Sequence, residues 1–280
     1  MGALQTSPGD RAAAPAPLMV RVRDLLRAEW RHVPKGYVTF SALALLWLLA
    51  SGTGAVSENV LPSPWSVAAA FADLMRKGIL PEYVAASLAH LFVAVLVGIV
   101  VAVPLGIAIG INRYAAKFFY PLLNFFQSLS GIAWIPLYLL WFGFNEKTII
   151  AAVNYTVIFP VAFNTLVGVR TVRPIYSQAV LTLGGNRLHI LRDVILPGAL
   201  GNIVTGMRLG VAYGWRALIG AEIIIGANGL GYMIFSAQTF NLTANIVLGM
   251  LIIGVLWLFM DKFILRPIEQ MTTERWGGSR

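Results

Sequence analysis

The chain has 280 residues, 58% of them hydrophobic and 12% charged, with a formal net charge of +9 and no cysteine. A soluble domain carries roughly a quarter of its residues as charged, so this deficit, with apolar runs of about twenty residues, excludes an ordinary water-soluble enzyme. Disulfides and thiolate chemistry are excluded as well, and the basic residues flank apolar runs instead of forming the aromatic-interleaved face of a nucleic-acid binder.

In chain order, residues 1–17 are rich in Ala, Pro, Gly and Ser and read as a disordered tail. No secretory signal is expected, because the first apolar run comes late and no small-residue cleavage site follows it. Residues 18–35 carry Arg21, Arg23, Arg27, Arg31 and Lys35. They read either as an amphipathic helix on the cytoplasmic surface or as a plain stop signal. Apolar segments follow at 37–56, 84–112, 118–142, 148–168, 199–221 and 243–265. Each approaches or exceeds the ~20 residues that span a bilayer, so the expected fold is an all-α polytopic membrane protein of about six transmembrane helices. Residues 1–35 are its tail and 36–280 its single membrane domain.

With the N-terminus inside, sixteen Lys and Arg fall on the cytoplasmic side, among them Arg113, Lys117, Arg170, Arg173, Arg187 and Arg192, and only Arg76, Lys77 and Lys147 fall outside. The positive-inside rule therefore places both termini and the central loop in the cytoplasm. Ser66 is the expected N-cap of a short outer helix from Val67 to Lys77. In the second segment Gly106 and Gly110 permit close helix packing. In the third, Gly131 and Pro136 loosen the helix beside Gln127, Ser130 and Trp134, giving either a kinked span or two half-helices around a polar site. Asn154, Tyr155 and Asn164 in the fourth read as glue between helices or as lining of a path.

Between the fourth and fifth segments, Ala179, Val180, Leu183, Leu188, Leu191, Val194 and Ile195 recur at helical steps, interrupted by Gly184-Gly185-Asn186 and ended by Pro197-Gly198. Two short helices at an angle, with an apolar face at the membrane surface, form a docking element. The fifth segment carries Gly206, Gly210 and Gly214 on one face, Arg208 near enough to its inner end to snorkel, and Arg216 deeper beside Trp215 with Glu222 six residues on. A charge at that depth faces a cavity or another charge: Arg216 either lines an aqueous path or pairs with Glu222. The last segment is anchored by Asp261, Lys262 and Arg266.

The order Gln178-Ala179-Val180, Gly184, Val194, Leu196-Pro197 resembles the E-A-A-x3-G-x9-I-x-L-P loop of ABC-importer permeases at full spacing, with Gln178, Val180 and Val194 in place of Glu, Ala and Ile. Leu61-Pro62-Ser63-Pro64-Trp65-Ser66-Val67 with Gly78 and Ser87-Leu88, Ala133-Trp134-Ile135-Pro136-Leu137 with Trp141-Phe142-Gly143, and the glycine-rich run 226–231 are similar to the nitrate, sulfonate, taurine and bicarbonate branch of that family. His90 stands where the branch usually has Arg, and Ser130-Gly131 where it commonly has paired prolines. The resemblance implies a type I importer permease fold whose loop 173–197 is a cytoplasmic coupling helix docked on an ATPase subunit. Gln178, Ala179, Val180, Gly184, Arg187, Leu196 and Pro197 are then the coupling residues, and Gln127, Ser130, Trp134, Asn154, Trp215, Arg216 and Glu222 the candidates to line the path. It implies further a dimer of ATPase subunits holding ATP and Mg, a second permease copy forming a homodimer, a periplasmic or lipid-anchored substrate-binding protein, and residence in a bacterial inner membrane. Uptake of a small anion by alternating access completes that reading.

No Gly-x-x-x-x-Gly-Lys-Ser/Thr appears, so no ATP site is expected in this chain. His32, His90 and His189 show no metal spacing, and no Gly-x-Ser-x-Gly elbow points to hydrolysis; catalytic, cofactor and metal residues are expected to be absent. An ion-driven secondary transporter would need two matching halves, which the chain lacks, and a membrane-embedded enzyme would need more ionisable residues in its spans than Arg208, Arg216 and Glu222.

Overall fold

The structure is a computed structural model that describes residues 35–53 and 57–276; the expected tail and nearly all of the basic stretch before α1 lie outside them. Among the described residues every regular element is a helix. The chain divides into two units at Val56 and Ser57. The first contains α1, Lys35–Gly52, whose apolar section Thr39–Gly52 is shorter than a full span and exposes Phe40, Leu43, Leu46 and Leu49.

In the second unit α2 covers Pro64–Arg76. Its cap is Ser63, whose Oγ accepts from Ser66 N at 3.1 Å, not Ser66 as expected. Pro64 explains the shift: it needs no N–H and its fixed φ suits the first turn of a helix. α3 (Ile79–Ile111), α4 (Arg113–Ser128), α5 (Ile135–Phe142) and α6 (Glu146–Thr171) follow, then the short α7 (Pro174–Thr182) and α8 (Arg187–Ile190). α9 (Leu196–Ile225), α10 (Leu230–Thr239), α11 (Thr243–Met260) and α12 (Arg266–Trp276) complete the chain.

The core is α6, held between α3 and α9. Half of its apolar window is buried, against 17% for the Thr243–Thr272 helix, which makes α6 the axis of the unit. Two glycine rows allow this. Cβ atoms built at Gly106 and Gly110 on α3 would lie 2.6 Å from Ala162 O and 2.8 Å from Val169 Cβ. On the opposite flank, at Gly206, Gly210 and Gly214 of α9, they would lie 2.7 Å from Asn164 Cβ, 3.0 Å from Val161 Cγ2 and 3.0 Å from Val157 Cγ2. Both rows therefore serve contacts within the chain, where small residues let membrane helices touch backbone to backbone.

Among the described residues four helices are long and apolar enough to cross a bilayer, and a fifth span arises if the pair Arg113–Ser128 and Gly131–Phe142 counts as one. That pair is bent by 85°, which settles the third segment as two half-helices. Gly131 is buried where a Cβ would lie 2.0 Å from Thr156 Oγ1 on α6, so only a glycine admits the turn. Pro136 sits in the first turn of α5, where its missing donor is harmless.

Candidate functional site

The segment between α6 and α9 is an exposed elbow. Pro174 opens α7, Gly184 reverses the chain with φ +81°, and Asn186 opens α8 by accepting from Leu188 N at 3.0 Å and His189 N at 3.1 Å. His189 Nδ1 accepts in turn from Asn186 N at 3.2 Å, closing a capping box. No residue of α7, α8 or the following turn is buried, yet Leu183 is 88% and Leu188 68% exposed. Large apolar side chains are exposed along the membrane helices too, Leu140 for example; here they stand on a capped turn that carries Arg187, His189, Arg192 and Asp193 as well. Gln178 and Ala179 lie exposed on α7, Val180 is half-buried against Gly185, and Arg187 is exposed at the start of α8.

Pro197 and Gly198 do not end the helix there. Arg187 to Ile225 runs as one 39-residue rod, through a π turn at Leu191–Ile195 in which Leu196 N bonds Leu191 O. The wider turn shifts the hydrogen-bond register, so that Pro197 falls in the first turn of α9, where no donor is required. Leu196 and Pro197 thus lie along the rod, more than two turns beyond Arg187, which begins it, and stand apart from Gln178, Ala179, Val180 and Gly184.

A cavity of about 270 Å3 lies where α4 breaks and joins Gln127, Ser130, Thr156, Tyr213 and Arg216. Arg216 is exposed on the chain, its guanidinium 6.0 Å from the Tyr213 ring centroid. Gln127 Oε1 is buried with no hydrogen-bond partner among the described residues. Tyr155 donates to Phe126 O at 2.9 Å, satisfying a carbonyl near the break, and Trp134 packs on Tyr155 at 5.3 Å between centroids. Three of the seven expected path residues are therefore gathered at one opening, and Trp134 adjoins it. The others are not: Asn154 donates to Ala94 O of α3 at 3.0 Å, and Trp215 is buried. Asn164 bonds back to Pro160 O at 2.8 Å within its own helix, so it is not glue between helices.

Glu222 belongs to a different centre. It is fully buried, and Ser87 Oγ lies 2.8 and 2.9 Å from its two oxygens. His90 Nδ1 donates at 3.1 Å and Gly231 N at 2.9 Å, while Ser87 Oγ accepts from Leu230 N at 2.8 Å. The carboxylate thus caps α10 from another helix, where exposed N–H groups favour negative charge. Gly229, at φ +149°, lets the loop close on it, since a Cβ there would lie 2.3 Å from Glu222 Cδ. The alternative that Arg216 pairs with Glu222 is corrected by this arrangement: six residues apart on a helix, the two point to different faces, and Glu222 is already bonded by Ser87, His90 and Gly231.

Arg208 does not snorkel either. Its Nε and Nη2 bond Asp261 Oδ1 at 3.1 and 2.8 Å, and Nη1 bonds Glu269. Arg266 Nε reaches Asp261 Oδ2 at 2.7 Å because the π turn Asp261–Leu265 brings residues five apart onto one side. Sequence reading named Ser87 in a motif and Asp261 as an anchor, but it missed the bonds that Ser87, Asp261 and Glu269 make here. An acidic residue beside an apolar run was the available signal, since a charge at that depth needs a partner.

Residues 98–263 match the family described as binding-protein-dependent transport system inner membrane component. The chain is similar to the taurine transport system permease protein TauC of Escherichia coli strain K12, at 30% identity over 90% of this chain and 94% of that one. It is also similar to a putative aliphatic sulfonates transport permease protein, SsuC, of Bacillus subtilis strain 168, at 30% identity over 88% of each chain. A putative ABC transporter permease protein of Methanocaldococcus jannaschii is 32% identical over 75% of this chain and 77% of its own.

Proposed function

The chain belongs to the family of binding-protein-dependent transport system inner membrane components and is the multi-pass permease subunit of an ABC importer, and from that premise we propose that its elbow couples a cytoplasmic ATPase to uptake of a small oxyanion. One observation carries the coupling: of an unburied pair of short helices that exposes Leu183 and Leu188, the second, α8, is itself the first turn of the membrane rod Arg187–Ile225. ATP and Mg are held by the partner ATPase dimer, the termini and elbow face the cytoplasm, and an external binding protein delivers the solute. A second copy of this chain pairs with the first to enclose the path. ATP binding draws two elbows together, and the rods tilt to open the path to alternate sides; nucleotide acts only through its different affinity for the two states.

Arg216, Gln127 and Ser130 at the helix break form the anion contact. An arginine at membrane depth is stable when it faces water or an anion, and the solutes named for two relatives, taurine and aliphatic sulfonates, both carry a sulfonate group. The ion-driven alternative gains nothing from these comparisons, whose members are ABC-type permeases. The test is co-purification: tagged permease brings an ATPase subunit out of the membrane, and vesicles take up sulfonate only with ATP inside. Uptake driven by an ion gradient without ATP would refute the coupling.

A further inference from the structure

Where α3, α4, α6 and α7 converge, four exposed cations crowd one edge of the unit: Arg113, Lys117, Arg170 and Arg173. Among the described residues no carboxylate lies within ion-pairing distance of any of them. Two cavities that share Arg170 open between them. One, of about 530 Å3, is lined by Lys117, Arg170, Tyr120 and Thr171 together with Leu166 and Val167. The other, of about 480 Å3, is bordered by Arg113, Arg170 and Ser177, with Val169 and Ile195 behind them.

Positive charge alone is what topology demands of a cytoplasmic turn, but topology does not require cavities. Here cations and hydroxyls line the same cavities as aliphatic side chains. The Tyr120 ring is held against Phe163, 5.1 Å between centroids, which fixes that part of the lining. A soluble anion would use the polar lining and leave the aliphatic lining unused; a molecule with an anionic head and a hydrocarbon tail uses both. Basic pockets between membrane helices on the cytoplasmic side are where phosphoester head groups lodge.

We propose that this edge binds the head group of an anionic phospholipid of the inner leaflet, its phosphate between Lys117 and Arg170 and an acyl chain against Leu166 and Val167. The site rests on the orientation proposed above. It lies beside the first turn of α7, so an occupied site steadies the base of the elbow.

The test uses full-length permease in neutral detergent, titrated with phosphatidylglycerol, phosphatidylcholine or inorganic phosphate while its thermal midpoint is followed. Phosphatidylglycerol raises the midpoint, and the other two do not at equal concentration. Each cation near a charged lipid surface contributes about fivefold in affinity, so Lys117→Gln with Arg170→Gln raises half-saturation roughly thirtyfold. The single variants Lys117→Gln and Arg170→Lys carry the comparison should the double variant misfold: the first shifts half-saturation about fivefold and the second less. Lys77→Gln, on the opposite side, changes nothing. Equal binding by the double variant, or no preference over phosphatidylcholine, overturns the site. Equal stabilisation by inorganic phosphate through the same residues overturns the lipid in favour of a soluble anion. Because the chain has no cysteine, Lys117→Cys labelled by an impermeant maleimide reads the orientation separately. Labelling from outside overturns the inner-leaflet assignment and the orientation together, while the detergent titration still reports on the site.

Discussion

At one end of the rod that contains α9, Glu222 is fully buried and both its oxygens are bonded by Ser87, His90 and Gly231. At the other, in α8 and the π turn after it, nothing is buried, and Leu188 stands 68% exposed. Buried polar groups must be paired, and the knot around Glu222 is complete within one chain. Exposed apolar groups in a capped scaffold are paired only by another molecule. The first end is architecture and the second, on the function proposed above, is an interface awaiting its partner, so a substitution at each should be read by a different assay.

Four experiments sharpen or break that contrast. The largest effect is expected for Glu222→Ala, which strips Ser87, His90 and Gly231 of their shared acceptor. Loss of one side of a buried charged network costs about 3–5 kcal/mol, seen as a fall in thermal midpoint and folded yield, with Glu222→Gln milder because it keeps an acceptor. An unchanged midpoint would mean that the knot holds nothing together.

Next come Leu183→Asp and Leu188→Asp. Interface anchors are worth about 2 kcal/mol or more, roughly a thirtyfold loss of ATPase-subunit binding, at constant permease midpoint. Retained binding with a lowered midpoint would reverse the two roles. The third experiment, Gly210→Leu, drives a side chain into Val161 and Val157 and is expected to cost about 1–3 kcal/mol of stability through overpacking. Were it silent, the α6–α9 contact would be looser than the geometry indicates.

The smallest effect on stability is expected for Arg216→Gln, close to none, since the side chain is exposed. Its readout is uptake: half-saturation for a sulfonate rises about tenfold, the loss of one charged contact of roughly 1.4 kcal/mol. A stable protein with unaltered uptake would remove Arg216 from the path.

The elbow was legible because its signals are local: Gly184, the helical steps around it and the basic residues that keep it out of lipid all fall within thirty residues. The glycine rows were legible for the same reason, although periodicity does not say against which helix a row packs. Glu222 and Arg208 were misassigned because their partners are distant in sequence. Ser87 lies 135 residues from Glu222, and Asp261 lies 53 from Arg208; only the packing of α9 against α3 and against the π turn after α11 brings them together. Pro197 misled in another way. A proline reads as a stop when the helix before it is taken to be α, and the π turn that accommodates it carries no sequence mark. The break at Gly131 was visible as weakness, but its 85° angle depends on Thr156 across the helix pair.

The uninterrupted run from Arg187 to Ile225 has a mechanical corollary. Thirty-nine residues at about 1.5 Å each make a strut of roughly 58 Å, more than the thickness of a bilayer, running from the elbow to the far rim through a single π turn. A beam of that kind pivots instead of folding: a few ångströms of push at the foot reappear at the rim with reversed sign. Opening on one side and sealing on the other would then be a single event, needing no relay of contacts through the membrane.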